Sequence, residues 1–198
     1  QTYISHIKFR WIRPHTPVLS IAFDQLAQHL KLSVLFEIHN TTLPGNNQHS
    51  EQHLRDLCFI PKMSTYAIGA IINHAVRLMP QKHAYVNVGV WNGFSLLAGM
   101  ARNQEKLCIG VDNFSEFGGP KRAFQKRFSQ LGSAKHHFFE MDYVDYFNNT
   151  HDAPIGVYLY DGNHSYPDQL RALQLAEPFF SDNCIVLVDD ANYPAVQQ

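Results

Sequence analysis

From His83 onward the chain repeats one pattern: a short, almost wholly apolar run, a turn, then a helical segment. The apolar runs fall at 84–88, 107–111, 137–141, 155–160 and 184–188, and helical segments at 94–101, 120–131 and 165–180. A strand covered on both faces reads as a continuous apolar run, and strands separated by helices pair in parallel. The pattern therefore predicts an α/β fold, a mostly parallel sheet with helices on both faces. The helix ends carry their own signals. Pro120 stands in a first turn, Gly132 follows a last one, and Ser165 to Asp168 has capping-box spacing. Such sheets bind ligands outside the carboxyl ends of the strands, where the strand order reverses. The residues directly after each run are thus the candidate site.

Residues 1–80 read differently, as a mainly helical extension or lid preceding a sheet domain at 81–198. Ile7, Phe9 and Trp11 alternate with polar residues, a weak strand signal, and Ile21, Leu26 and Leu30 suggest a short helix. The stretch 41–50, with Pro44, Gly45, Asn46 and Asn47, reads as a loop. Ser64 can cap a helix with apolar positions Ile68, Ile71, Ile72, Ala75 and Leu78, ending before Pro80. The segment 62–66 is expected to contribute to a lid over the site.

Composition removes several classes of function. A chain that is 45% hydrophobic can fill a core, which excludes general disorder. A formal net charge of −1 argues against a nucleic-acid surface. No apolar run approaches the roughly 20 residues that span a bilayer, and no signal-peptide pattern is present. The chain begins at Gln1 rather than Met, so processing or trimming is expected. Cys58, Cys108 and Cys184 are far apart with apolar neighbours, the pattern of free thiols in a reducing, cytoplasmic setting.

The strand ends carry the chemistry. After the first comes Gly89-Val-Trp91-Asn-Gly93-Phe-Ser95, whose glycines allow a sharp turn and close approach of a ligand to the backbone. It is either a cofactor turn or an ordinary strand-helix turn. It is not the G-x-G-x-x-G fingerprint, because Trp91 takes the middle glycine position. After the second comes Asp112-Asn113, where a carboxylate can hold both hydroxyls of a ribose. After the third, Asp142 either faces an adenine amino group or caps a helix, and Tyr143 can pack on the ring. After the fourth and fifth come Asp161-Gly-Asn-His164 and Asp189-Asp190. Three converging carboxylates repel unless protons or a cation intervene, and hard oxygen ligands suit Mg²⁺, Ca²⁺ or Mn²⁺. The alternative is one turn cap, one cofactor contact and no metal. An imidazole is the side chain best suited to take a proton from a hydroxyl near neutrality, which makes His164 the candidate base. His136 and His137, as strand neighbours, should face opposite sides. Lys121, Arg122, Lys126 and Arg127 read as a solvated helix face, and 114–119 as a glycine-rich aromatic flap.

Val86-Asn87-Val-Gly89-Val-Trp-Asn-Gly93-Phe-Ser95, Tyr160-Asp-Gly-Asn-His164-Ser-Tyr166 and Val188-Asp189-Asp190 together resemble class I S-adenosylmethionine (SAM) dependent methyltransferases. The resemblance covers residues 80 to 194 and is to the caffeoyl-CoA-like and macrocin-type O-methyltransferases. It implies a Rossmann-like fold and SAM as cofactor, with Asn87, Gly89, Trp91, Gly93, Ser95, Asp112, Asn113, Asp142, Tyr143 and Asp161 as its site. It implies Asp161, Asp189 and Asp190 as ligands of a divalent ion such as Mg²⁺, and His164 with Asp161 as catalytic residues. Asn87 departs from the family's usual acid. The family's further C-terminal strands lie beyond what is present at Gln198, so either the terminus is trimmed or another chain, as in a homodimer, covers the sheet edge.

The activity expected is O-methylation of a hydroxyl on a small molecule or sugar, with His164 as base. The partners are then a hydroxylated small molecule and neither nucleic acid nor membrane. Two other readings compete. A nicotinamide oxidoreductase would need the dinucleotide fingerprint and a Tyr-x-x-x-Lys set, and both are missing. A non-catalytic SAM-binding module is favoured by Asn87 and the short C-terminus.

Overall fold

A computed structural model describes residues 2–9, 32–45 and 48–191. The sheet strands are β3 (Ala84–Val88), β4 (Leu107–Val111), β5 (His136–Phe139), β6 (Ile155–Tyr160) and β7 (Phe180–Val188), after the short β1 (Lys8–Phe9) and β2 (Thr41–Thr42). The helices are α1 (Thr2–Ser5), α2 (Leu32–Asn40), α3 (Gln48–Leu57), α4 (Tyr66–Leu78), α5 (Phe94–Met100), α6 (Lys121–Leu131), α7 (Tyr143–Asn149) and α8 (Tyr166–Ala176).

Strands β3 to β7 form one sheet in the order β5-β4-β3-β6-β7, and every pairing is parallel. The Rossmann-like, mostly parallel sheet with helices on both faces expected from the sequence is present. The chain winds outward from β3 to β5, then returns to the other side of β3 to lay down β6 and β7. The order therefore reverses between β3 and β6, which puts the crevice at the ends of those two strands.

Both faces of the sheet are covered, as continuous apolar strands require. Tyr85, Cys108, Val157 and Leu159 pack with α3, α4, α5 and Phe124 of α6 in one cluster. Val86, Val88, Ile109, Val111, Tyr158 and Tyr160 pack with Tyr146, Phe147, Ala172 and Ala176 of α7 and α8 in the other. Period-two alternation sends neighbours to opposite clusters. Ile155 joins Tyr158 and Tyr160 on one face only because the ladder shifts register between Ile155 and Val157.

Thr65, not Ser64, caps α4, its hydroxyl accepting from Ile68 N at 3.2 Å. The helix expected at 165–180 ends at Ala176, because Pro178 has no N–H to continue it; a 3-10 turn, Glu177–Phe179, follows. The third sheet strand starts one residue early and stops at Phe139, and the fifth starts at Phe180 rather than 184. The loop expected at 41–50 is shorter, since Thr41–Thr42 pairs antiparallel with Lys8–Phe9 and Ser50 lies in α3. Trp11 and the helix expected around Ile21, Leu26 and Leu30 lie outside the described residues, as do Asn46 and Asn47.

Candidate active site

The hydrogen-bond ladder of the sheet runs one residue past the strands. Gly89 N donates to Val111 O at 3.0 Å, Asp112 N to Phe139 O at 3.2 Å, Asp161 N to Val88 O at 2.8 Å and Asp189 N to Tyr160 O at 2.9 Å. Each first residue beyond a strand is thereby fixed as firmly as the strand itself. A cavity of about 250 Å³ opens at these ends, and Gly89, Asp112 and Asp161 line it.

Gly89 sits at φ +82, and a Cβ there would come within 1.9 Å of the Asp161 carbonyl oxygen. Only glycine permits both the left-handed backbone and that approach. The turn after it is held by one side chain. Asp112 Oδ2 accepts from Val90 N and Trp91 N, both at 2.7 Å, while Oδ1 accepts from Phe114 N at 2.7 Å. Asn113 Oδ1 accepts from Ser115 N at 3.0 Å. The acid after β4 thus joins the glycine turn to the start of the 113–119 loop, which runs beside the cavity. Trp91 holds the loop's tip, its Nε1 donating to Phe117 O at 3.0 Å.

Asp142 caps α7, with Oδ1 accepting from Val144 N at 2.8 Å, and it also lines the cavity. Asp142 thus caps the helix with one oxygen while standing at the cavity wall. Tyr143 lines the cavity beside it, its ring edge-on to Tyr160 at 5.8 Å.

Two residues expected to touch a cofactor lie elsewhere. Asn87 is fully buried and absent from the cavity wall. Its Nδ2 donates to Gly89 O at 3.0 Å and its Oδ1 accepts from Ser95 Oγ at 2.9 Å. An amide meets those needs without a buried charge, whereas an acid would lack a donor for Gly89 O. Gly93 also lies behind the wall. It begins α5 at φ +97, and a Cβ there would press into the Phe124 ring at 2.7 Å. Ser95 does reach the cavity.

The carboxylates after β6 and β7 converge as their spacing suggested. His164 Nε2 lies 3.6 Å from Asp161 Oδ1, 3.8 Å from Asp189 Oδ2 and 3.9 Å from Asp190 Oδ2. None of these is a hydrogen bond, and that nitrogen is buried without a partner. Burial first, then Asp189, Asp190 and Asp112, push the Asp161 carboxyl up to about 8. Asp190 holds a left-handed backbone, φ 53. One ligand atom from each of Asp161, His164 and Asp189 lies within 4.8 Å of the others, a donor set of oxygens and one imidazole that suits a divalent cation.

Glu37, which does not line the cavity, shapes it from behind and carried no legible signal. Glu37 of α2 accepts from Lys62 Nζ at 2.7 Å and from the backbone N of Tyr66, at the start of α4. It thereby places 62–64 at the cavity. Glu116 and Asp168 line the same space, Asp168 being readable only as a capping-box acid. The basic helix face stays outside: Lys121 pairs with Glu140 at 2.7 Å and Arg127 reaches Asn92. His136 is buried and His137 exposed, on opposite sides as expected.

A parallel sheet with a ligand-sized crevice at its reversal point is the arrangement in which doubly wound α/β proteins bind their ligands. The family model described as "Methyltransferase domain" matches residues 86–191, and the chain belongs to that family. No curated protein matches the sequence. Among solved structures, the SAH-bound Podospora anserina methyltransferase PaMTH1 is similar at a TM-score of 0.54 and 17% identity, over 91% of this chain and 73% of that one. The O-methyltransferase TomG of Streptomyces achromogenes, in complex with SAM, is similar at 0.52 and 16%, over 79% and 74%. Cofactor-bound Rv0187 from MTB is similar at 0.56 and 13%, over 74% and 72%. At such identities the likeness is one of fold.

Proposed function

We propose that this chain is a SAM-dependent O-methyltransferase acting on a hydroxyl of a small molecule or sugar. The observation that carries the reading is the meeting of the ends of β3, β4, β6 and the β5–α7 junction around one acid-lined cavity. Asp112, Glu116, Asp142, Asp161 and Asp168 line it, and its one lysine, Lys62, is paired with Glu37. Such a lining suits a cationic sulfonium ligand. The solved structures that share the fold include ones named for SAM or SAH complexes, which supports the same cofactor here.

SAM supplies a methyl group already activated by its sulfonium, so the protein needs no covalent nucleophile. Its residues bind, orient and deprotonate. With three of its acceptor positions taken by backbone N–H groups, Asp112 keeps one for a ribose hydroxyl, and Asp142 with Tyr143 receives the adenine. Phe94 and Ser95, at the start of α5, line the remaining part of the cavity. His164 takes the proton from the acceptor hydroxyl, and the carboxylates around it offset the charge the imidazole gains. A divalent ion held by Asp161 and Asp189 would orient acceptor oxygens and ease their ionisation, and an ion that also took His164 as a ligand would replace the imidazole as the means of ionising the hydroxyl. The loop 113–119 and the segment 62–64 exclude water from the reacting groups.

Calorimetric titration with SAH and with NAD, followed by a methyl-transfer assay on hydroxylated compounds with and without Mg²⁺, tests the reading. SAH should bind, NAD should not, and transfer should be detected. Binding of NAD in preference to SAH would overturn it.

A further inference from the structure

One ammonium at the cavity has a proton left over. Lys62 is the one lysine or arginine among the described residues that line the cavity, and its side chain is 10% exposed. An ammonium carries three N–H donors. Two of them are used here, since Nζ donates to Glu37 Oε2 at 2.7 Å and to Ser64 O at 2.8 Å. Its remaining neighbour is the Phe94 ring, whose centroid lies at 5.3 Å and which attracts the charge without supplying an acceptor oxygen. A nearly buried ammonium short of its third acceptor costs free energy until something polar arrives.

Glu37 does not use up the charge. Its Oε1 accepts from Tyr66 N, the first residue of α4, so the positive end of a 13-residue helix shares that carboxylate with Lys62. Lys62 therefore keeps an attraction for a second anion. The fold fixes where one would arrive. Phe94 belongs to the cluster on one face of the sheet, and Met141 and Tyr143 pack against the cluster on the other. All three line the cavity, so it passes from face to face over the strand tips. A ligand with its adenine at Tyr143 has its far end beside Phe94, Ser64 and Lys62. The end of β3 offers no charge for that far end, since Asn87 is neutral and buried behind the wall.

We propose that Lys62 binds the carboxylate at the cofactor's amino-acid end, through the N–H that the protein leaves unfilled. This rests on the methyltransferase reading of the same cavity. The anchor then comes from the segment before α4 and not from the sheet, and Glu37 of α2 holds it in place. The lysine also resolves a problem of charge. SAM and SAH both bear a carboxylate, which Asp112, Glu116, Asp142, Asp161 and Asp168 repel. Lys62 is the point in that lining where it is attracted. A single cation among acids thus orients the cofactor, with the sulfonium toward the acids and the carboxylate at the lysine.

The test is calorimetric titration with two ligands, SAH and its decarboxylated analogue, which keeps the adenosine, the thioether and the amine. The wild type should bind SAH at least about tenfold more tightly, the scale of one hydrogen bond between charged groups. Lys62→Met should abolish or reverse that preference, while its affinity for the decarboxylated ligand stays within about threefold of the wild type. Lys62→Arg should keep most of the preference. Because Lys62→Met leaves Glu37 short of a partner, the double variant Lys62→Met/Glu37→Gln repeats the measurement without an unpaired carboxylate, and it should behave alike. Equal binding of the two ligands by the wild type overturns the anchor, as does a preference that survives in Lys62→Met. A loss of affinity for both ligands to the same degree in the variants makes Lys62 a structural part of the wall and overturns it too. Failure of both ligands to bind the wild type falls on the methyltransferase reading, and the anchor falls with it.

Discussion

Asp112 is the residue whose removal has the most calculable effect. Its two oxygens accept three backbone N–H groups at 2.7 Å: those of Val90, Trp91 and Phe114. Hydrogen bonds to a charged group contribute about 1.5–3 kcal/mol each, and a buried donor left without an acceptor costs about 1–3 kcal/mol. Val90 is buried, so water cannot replace the lost oxygen there, whereas Trp91 and Phe114 are half-buried and water recovers part of theirs. Asp112→Ala should therefore lower stability by about 3–5 kcal/mol, a large share of the ~5–15 kcal/mol typical of a folded domain. Asp112→Asn keeps one acceptor oxygen and should cost about half as much. Urea denaturation reads this directly. The midpoint should fall by roughly 1–2 M for Ala, with little change in slope. SAH affinity should fall in both variants. If the midpoint of Asp112→Ala moves by less than about 0.3 M, the three N–H groups are satisfied without the carboxylate, and the claim that it holds the turn is wrong.

Substituting His164 by Ala should slow methyl transfer by about a hundredfold or more while SAH binds as before, and full turnover would remove the base assignment. Gly89→Ala forces a Cβ to 1.9 Å from the Asp161 carbonyl at φ +82, so the strand ends must part; circular dichroism melting should show a fall of at least several degrees, and a wild-type melt would refute the contact. Asp161 has a folded-state pKa of about 8, above its unfolded value, so the folded protein binds the extra proton between roughly pH 4 and 8 and loses stability as pH rises through that window. Asp161→Asn should therefore melt higher than the wild type above pH 8, with the gap closing on acidification. His136 and His151 have pKa values lowered mainly by burial, so the unfolded chain takes up protons first as pH falls below about 6.5. Stability should drop there, and His151→Gln should flatten that part of the melting profile.

The strands that proved easiest to read are those buried on both faces. The limits of β3, β4 and β6 coincide with their apolar runs, because a strand between two neighbours and under helices has no solvent-facing position to blur its ends. The outer strands were less legible. β7 pairs on one side only among the described residues, so its first half tolerates Ser181, Asp182 and Asn183, and Ile185 and Val186 are exposed. In the site, the acids directly after each strand were readable because topology alone brings them together. Asn87 and Gly93 were not, since spacing within a motif says nothing about which wall of a turn a residue faces. Glu37, 25 residues from Lys62 and 29 from Tyr66, left no trace, because a lone acid in a helix has no pattern until the chain has folded.

The peptide bonds that carry the ladder past Val88, Val111 and Tyr160 separate this molecule into two kinds of territory. Positions anchored to the sheet can change little without tearing neighbouring strands apart, so the end of the crevice that they form is inherited as a block. The runs 62–64 and 113–119 hang from it by side chains, and exchanging them leaves every inter-strand bond intact. A laboratory seeking new acceptors for this scaffold would therefore diversify those two short stretches, Lys62 apart, and leave the strand tips alone.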